Sequence, residues 1–192
     1  ACLNCAANLI TVTTAMLGSQ PMDGDTTDTT GACAVRTFTC LGVLPANPTI
    51  EVNNGASEVE DVTDGAADGS TTLALTCNAA GTAWESNGVA VTNVECYIPC
   101  RNCADNLIAI TMTGPNPIFT NVVDRMAPCA TWTFACSGNM ANIEINGGQG
   151  VFVDADDGVV DGIVTFPVTC NGDGTAWEAF GVPITAVNCA TV

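Results

Sequence analysis

The stretch Thr71-Thr-Leu-Ala-Leu-Thr-Cys77-Asn-Ala-Ala-Gly-Thr-Ala-Trp-Glu85 alternates apolar and polar residues up to its cysteine. In a strand that alternation puts Leu73, Leu75 and Cys77 on one face. Asn and Gly then interrupt the run, and Asn87-Gly88 is a tight-hairpin signal between Thr82–Ser86 and Val89–Val94. The second part of the stretch returns as Cys170-Asn-Gly-Asp-Gly-Thr-Ala-Trp-Glu178, with seven of nine positions identical. A Trp at one place in both copies reads as a core plug; a sugar-stacking platform is the sharper alternative.

The repetition extends over the whole chain. Cys2, Cys5, Cys33, Cys40, Cys77 and Cys96 recur as Cys100, Cys103, Cys129, Cys136, Cys170 and Cys189, at offsets of 98, 98, 96, 96, 93 and 93 residues. The offset falls only where loops shorten, so residues 1–98 and 99–192 are expected to be two copies of one domain. An even set of six cysteines per copy predicts a closed disulfide set formed in an oxidising compartment. Each half holds a modest core, because much of the 47% hydrophobic content is Ala and Val and only 5% is aromatic. Disulfides at about 2–4 kcal/mol each offset that deficit.

The other runs are β-rich. Leu9–Thr14, Thr37–Cys40, Thr49–Asn53, Thr71–Cys77 and Val89–Cys96 have counterparts in Leu107–Thr113, Thr133–Cys136, Ala141–Gly147 and Ile163–Cys170. No amphipathic helix is evident. Short strands separated by Gly, Pro, Asn and Asp predict two tandem disulfide-rich, immunoglobulin-like β-sandwiches, an all-β fold.

Twenty acids face three arginines (Arg36, Arg101 and Arg125), with no Lys or His, for a net charge of −17. Nucleic acid and anionic membrane are excluded as partners, because both need a basic footprint. No stretch approaches the length of a membrane span. Ala1 reads as a processed or trimmed start, consistent with a secreted, extracellular protein.

The order Cys-x-x-Cys, Asn-Leu-Ile with alternating Thr, Gly-Ala-Cys33-Ala-Val-Arg-Thr-Phe-Thr-Cys40, Cys77-Asn-x-x-Gly-Thr-Ala-Trp and Val94-Glu95-Cys96 resembles the six-cysteine domain of nematode secreted and surface proteins. The second half resembles it too, through Ile143-Glu-Ile-Asn-Gly-Gly148 and Val168-Thr-Cys-Asn171. The resemblance implies an extracellular module, often in tandem, with no established catalytic role and no active-site residues to transfer. One departure is that Trp132 stands where the first copy has Arg36.

On residue type three chemistries come into question. Each Cys-x-x-Cys lacks both the βαβ context of a redox dithiol and the second close pair or His of a zinc site, so disulfides are the better reading. Six cysteines can pair in many ways and the residues do not choose among them; the short hairpin gives a weak preference for Cys77–Cys96 and Cys170–Cys189. Asp154, Asp156, Asp157 and Asp161, with Glu58, Glu60, Asp61 and Asp64 in the first copy, could hold calcium, but their spacing fits solvated turns. With no His or Lys and every thiol oxidised, few nucleophiles and bases remain, so no enzyme, cofactor or metal is expected. Thr26-Thr-Asp-Thr-Thr30 reads as a flexible polar loop and a place for O-linked glycans.

Only Tyr97-Ile98-Pro99 separates Cys96 from Cys100, too short for a flexible linker. Tail and head juxtaposed (Cys189-Ala190-Thr191-Val192, then Ala1-Cys2) resemble the same joint. Ala1, Tyr97, Ile98, Pro99, Ala190, Thr191 and Val192 are therefore the expected assembly joint. The expectation is a secreted structural protein, a homopolymer of itself stacked head to tail into an extracellular filament, coat or matrix. An apolar tail adding to an exposed sheet edge is one route. The alternative is an adhesion module binding carbohydrate or protein through exposed Trp132 or Tyr97.

Overall fold

A computed structural model describes residues 2–42, 46–65 and 67–192. The chain falls into two compact units, Ala1–Pro99 and Cys100–Val192. The first carries β1 (Thr11–Thr13), β2 (Ser19–Gln20), β3 (Gly24–Asp28), β4 (Val35–Leu41), β5 (Thr49–Val52), β6 (Ser57–Glu60), β7 (Ser70–Cys77), β8 (Trp84–Ser86), β9 (Val89–Val91) and β10 (Asn93–Tyr97). The second carries β11 (Ala109–Thr113), β12 (Ile118–Asp124), β13 (Thr131–Ser137), β14 (Asn142–Ile145), β15 (Gly150–Val153), β16 (Ile163–Cys170), β17 (Trp177–Ala179), β18 (Val182–Pro183) and β19 (Ala186–Ala190). Apart from short 3-10 turns the described residues contain no helix, and the fold is all-β.

Each unit has two sheets. In the first, β1-β10-β5-β6, with β2 also on β10, faces β3-β4-β7-β8-β9; in the second, β11-β19-β14-β15 faces β12-β13-β16-β17-β18. The first strand of each unit lies parallel to its last, β1 on β10 and β11 on β19, and the other pairs are antiparallel. The inward residues of both sheets form one core per unit. In the first it includes Phe38, Ile50, Leu73, Leu75, Trp84 and Val94; in the second, Phe134, Ile143, Val164, Phe166, Trp177 and Val187. Leu73, Leu75 and Cys77 share the buried face that their alternation predicts. Two facing sheets joined by a buried cystine are compatible with an immunoglobulin-like sandwich.

The repeated Cys-Asn-x-x-Gly-Thr-Ala-Trp motif is explained by its turn. Asn78 Oδ1 accepts the Thr82 N–H at 2.9 Å, and Asn171 Oδ1 accepts that of Thr175 at 2.8 Å. The Trp that follows is a fully buried plug in both copies. Trp84 Nε1 donates to Ala6 O and Trp177 Nε1 to Ala104 O, each at 3.0 Å, tying the N-terminal segment of each unit to its core.

All twelve cysteines are paired: Cys2–Cys33, Cys5–Cys77 and Cys40–Cys96, then Cys100–Cys129, Cys103–Cys170 and Cys136–Cys189. The preferred Cys77–Cys96 and Cys170–Cys189 bridges do not form. The hairpin after Cys77 stays in the sheet of β7, and the chain then crosses to the other sheet, where β10 sets Cys96 against Cys40 on β4. A second correction concerns Thr26–Thr30. It is not a free loop at its start, because β3 pairs with β4 from Gly24↔Thr39 to Asp28↔Val35.

Candidate functional site

The residues of the expected joint fall into two groups. Ala1 lies outside the described residues. Tyr97 closes β10 and is buried, and its hydroxyl donates to Glu58 Oε1 at 3.1 Å. Burial, with the Glu58 carboxylate beside it, pushes the Tyr97 phenol well above its ordinary value. Ile98 is fully buried and its N–H donates to Gly18 O at 3.1 Å, and Pro99 opens a 3-10 turn, Pro99–Arg101.

The tail of the second unit is bound within that unit. Thr191 N–H donates to Thr113 O at 3.0 Å and its hydroxyl to Pro115 O at 3.0 Å, while Val192 N–H donates to Asn139 O at 3.0 Å. Two glycines make room for it. A Cβ on Gly114 would lie 2.0 Å from Thr191 O, and one on Gly138 would lie 2.6 Å from Thr191 Cγ2. This corrects the expected route of assembly, because the tail's main chain is already used at home and is not free to add to another sheet.

Beside that tail an open apolar hollow of about 510 Å³ is lined by Met140, Val153, Val160 and Val192, with Gly138 and Asn142. Met140, Val160 and Val192 are largely exposed. Asn142 Oδ1 is buried there with no hydrogen-bond partner among the described residues. In the strand registers Asn142 faces Ala190, where the first unit has Thr49 facing Tyr97. The Tyr97 ring thus has only a methyl group as its counterpart.

A second exposed feature was not legible in the sequence. Phe180 is 86% exposed at the tip of the β17–β18 hairpin, stacked on Phe152 at 6.1 Å between ring centres. Its φ is +54°, a conformation that suits the Asn87 of the first unit (φ +50°) and strains a Phe. The aromatic residues expected on the surface are instead inside. Trp132 is 3% exposed, packed on Phe134 and Trp177, and its Nε1 donates to Asn121 Oδ1 at 3.1 Å. An inward position of β13 left no room for a platform.

The acidic turns are built from their own backbone. Asp61 accepts the N–H groups of Asp68, Gly69 and Ser70, and Asp154 those of Asp161 and Gly162. Asp64 and Asp157 each hold both the N–H and the hydroxyl of a threonine, Thr72 and Thr165. The hydroxyl and N–H of Thr165 hold the Asp157 carboxyl below its ordinary value. Among the described residues no group of three or more such side chains is placed to hold a metal ion.

Across β6, β5 and β10 three carboxylates stand in register, Glu58, Glu51 and Glu95. Burial, then the charges of Glu95 and Glu58, raise Glu51. Burial also opposes the ionisation of Glu95, but the Met16 N–H and the hydroxyls of Ser19 and Thr13 outweigh it and hold that carboxyl low.

The C6 domain matches residues 5–96 and again 103–189, from the second cysteine of each copy to its last. Among curated proteins and among solved structures, none matches the chain. Six disulfides and two such domains point to an extracellular or secreted, disulfide-rich protein. Cysteine order, strand order and the two matches agree: the chain belongs to the C6 domain family, as a tandem pair.

Proposed function

We propose that this chain is a non-enzymatic structural protein of an extracellular filament, coat or matrix, with copies joined end to end. The observation that carries this reading is the apolar hollow beside Val192. By sequence equivalence it belongs to the end of a C6 module, and at that end of the first copy only three residues separate Cys96 from the first cysteine of the next module. Exposed Met140, Val160 and Val192 suit an incoming apolar segment. A head-to-tail contact that does not close on itself propagates. O-linked glycans on the exposed threonines of Thr26–Thr30 are compatible with such a surface protein.

Sedimentation and electron microscopy of the purified chain at high concentration test this. Polymers that disappear in Met140→Asp/Val160→Asp support it, and particles of one chain's mass alone overturn it. The second reading, an adhesion module for carbohydrate, is favoured by Phe180 and not by Trp132 or Tyr97. Glycan-array binding lost in Phe180→Ala would carry it.

A further inference from the structure

We infer that the outer edge of β12 pairs antiparallel with β12 of a second copy of this chain, about a two-fold axis at Asn121. β12 ends its sheet. One side is bonded to β13 in register from Ile118↔Ser137 to Asp124↔Thr131. No strand among the described residues lies on its other side, and no further backbone hydrogen bond engages residues 118–124. An unpaired row of N–H and C=O groups is a template for another strand. Ile118 and Val122 stand 66% and 67% exposed on it.

The duplicated unit supplies the contrast. Its equivalent edge, β3, is Gly-Asp-Thr-Thr-Asp, two residues shorter and without an apolar side chain; Asp25 on it is held by Arg36, and Asp28 is the counterpart of Asp124. β12 is Ile-Phe-Thr-Asn-Val-Val-Asp, seven residues with no proline and no charge before Asp124. The two edges share one terminal acid, but only β12 is long and carries exposed apolar side chains, Ile118 and Val122, so shortness and polarity guard β3 and not β12.

Charge selects the occupant. Two chains of net charge −17 repel, so self-contact needs a stretch poor in acids. On β12 the single acid is at the end, beside Arg125, and its carboxylate accepts the Met126 N–H at 2.8 Å. A basic partner would find its complement at β3 or the acidic turns and not here. An antiparallel strand related by a two-fold axis is complementary to itself. Centred on Asn121 it sets Thr120 of each copy opposite Val122 of the other, and Phe119 opposite Val123. This contact closes as a dimer and is independent of the end-to-end contact.

The test uses the whole two-module chain carrying Met140→Asp/Val160→Asp, so that end-to-end joining is absent. Sedimentation equilibrium should give twice the 19.5 kDa of one chain. Hydrogen exchange should show alternate amides within 118–124 slowed by at least about tenfold as concentration rises. Ile118→Asp/Val122→Asp, both at exposed positions, should return the mass to a single chain and abolish that slowing. A species that stays at one chain's mass overturns the inference. So does a dimer indifferent to the edge variant, or one whose protected amides lie elsewhere.

Discussion

Arg36 and Trp132 occupy one structural position and solve one problem differently. Arg36 is buried, its guanidinium donating to both oxygens of Asp25 at 2.8 and 2.7 Å and to Ala7 O at 2.6 Å, over the ring of Phe38. In the second unit Trp132 replaces the Arg, Asn121 replaces the Asp, and one neutral hydrogen bond replaces the ion pair. The lost charge returns from another place: Arg125 donates to Arg101 O, Cys103 O and Asp105 Oδ1. Replacing Arg36 by Trp alone strands Asp25; because that carboxylate is 39% exposed and can rehydrate, the expected cost is about 1–2 kcal/mol and not the several of a fully buried charge. Adding Asp25→Asn should recover most of it, a coupling that urea titration of the double-mutant cycle measures. The Arg36 hydrogen bonds hold Asp25 below its ordinary 3.8. The pair's contribution is therefore complete above that value and lost as pH falls through the lower folded one. The gap between wild type and the Trp/Asn double variant should narrow below pH 3.8. At Phe180 the expected sign is opposite: Phe180→Asn relieves a positive φ and should raise stability by about 1 kcal/mol, less the stacking on Phe152, while removing the exposed ring.

Among the elements, bridges differ by what they close. Loop entropy favours Cys5–Cys77, with a separation of 72 residues, over Cys2–Cys33, with 31, by only about 0.7 kcal/mol. Burial should decide more. Cys40–Cys96 is fully buried between the sheets, so its double Ala variant also leaves a cavity and should lose about 3–5 kcal/mol. The Cys2–Cys33 variant, near the surface, should lose less; guanidinium titration of both would show the order. Strands with strict alternation were legible in the sequence: Ile163–Cys170 is β16, and Asn87-Gly88 turns at positive φ as an Asn-Gly hairpin should. Two kinds of element were not. β3 is written in Gly, Asp and Thr, and only its pairing with β4 makes it a strand. The run Val89–Cys96 conceals a change of sheet between β9 and β10, and that crossing misdirected the expected bridge. The hollow at Val192 is lined from four separate stretches, so no single run announces it.

For the whole molecule the dominant long-range term is charge, −17 with both units acidic. Every contact between copies works against it. Screening shortens that repulsion from about 10 Å at 0.1 M salt to about 3 Å at 1 M. Assembly through the apolar hollow or the β12 edge should therefore strengthen with ionic strength, the reverse of an association driven by opposite charges. Sedimentation across a salt series gives the sign directly.

The cystine map also dictates how the chain carries tension. A pull entering at Cys2 crosses to Cys33, runs along the backbone to Cys40, and leaves through Cys96. Nearly all of that span is β4, already drawn out at about 3.4 Å per residue. The second unit repeats the path through Cys100, Cys129, β13, Cys136 and Cys189. Force spectroscopy on oxidised chains should accordingly record no stepwise lengthening, whereas Cys40→Ser/Cys96→Ser should release slack from the first unit. So wired, each module is an inextensible tether.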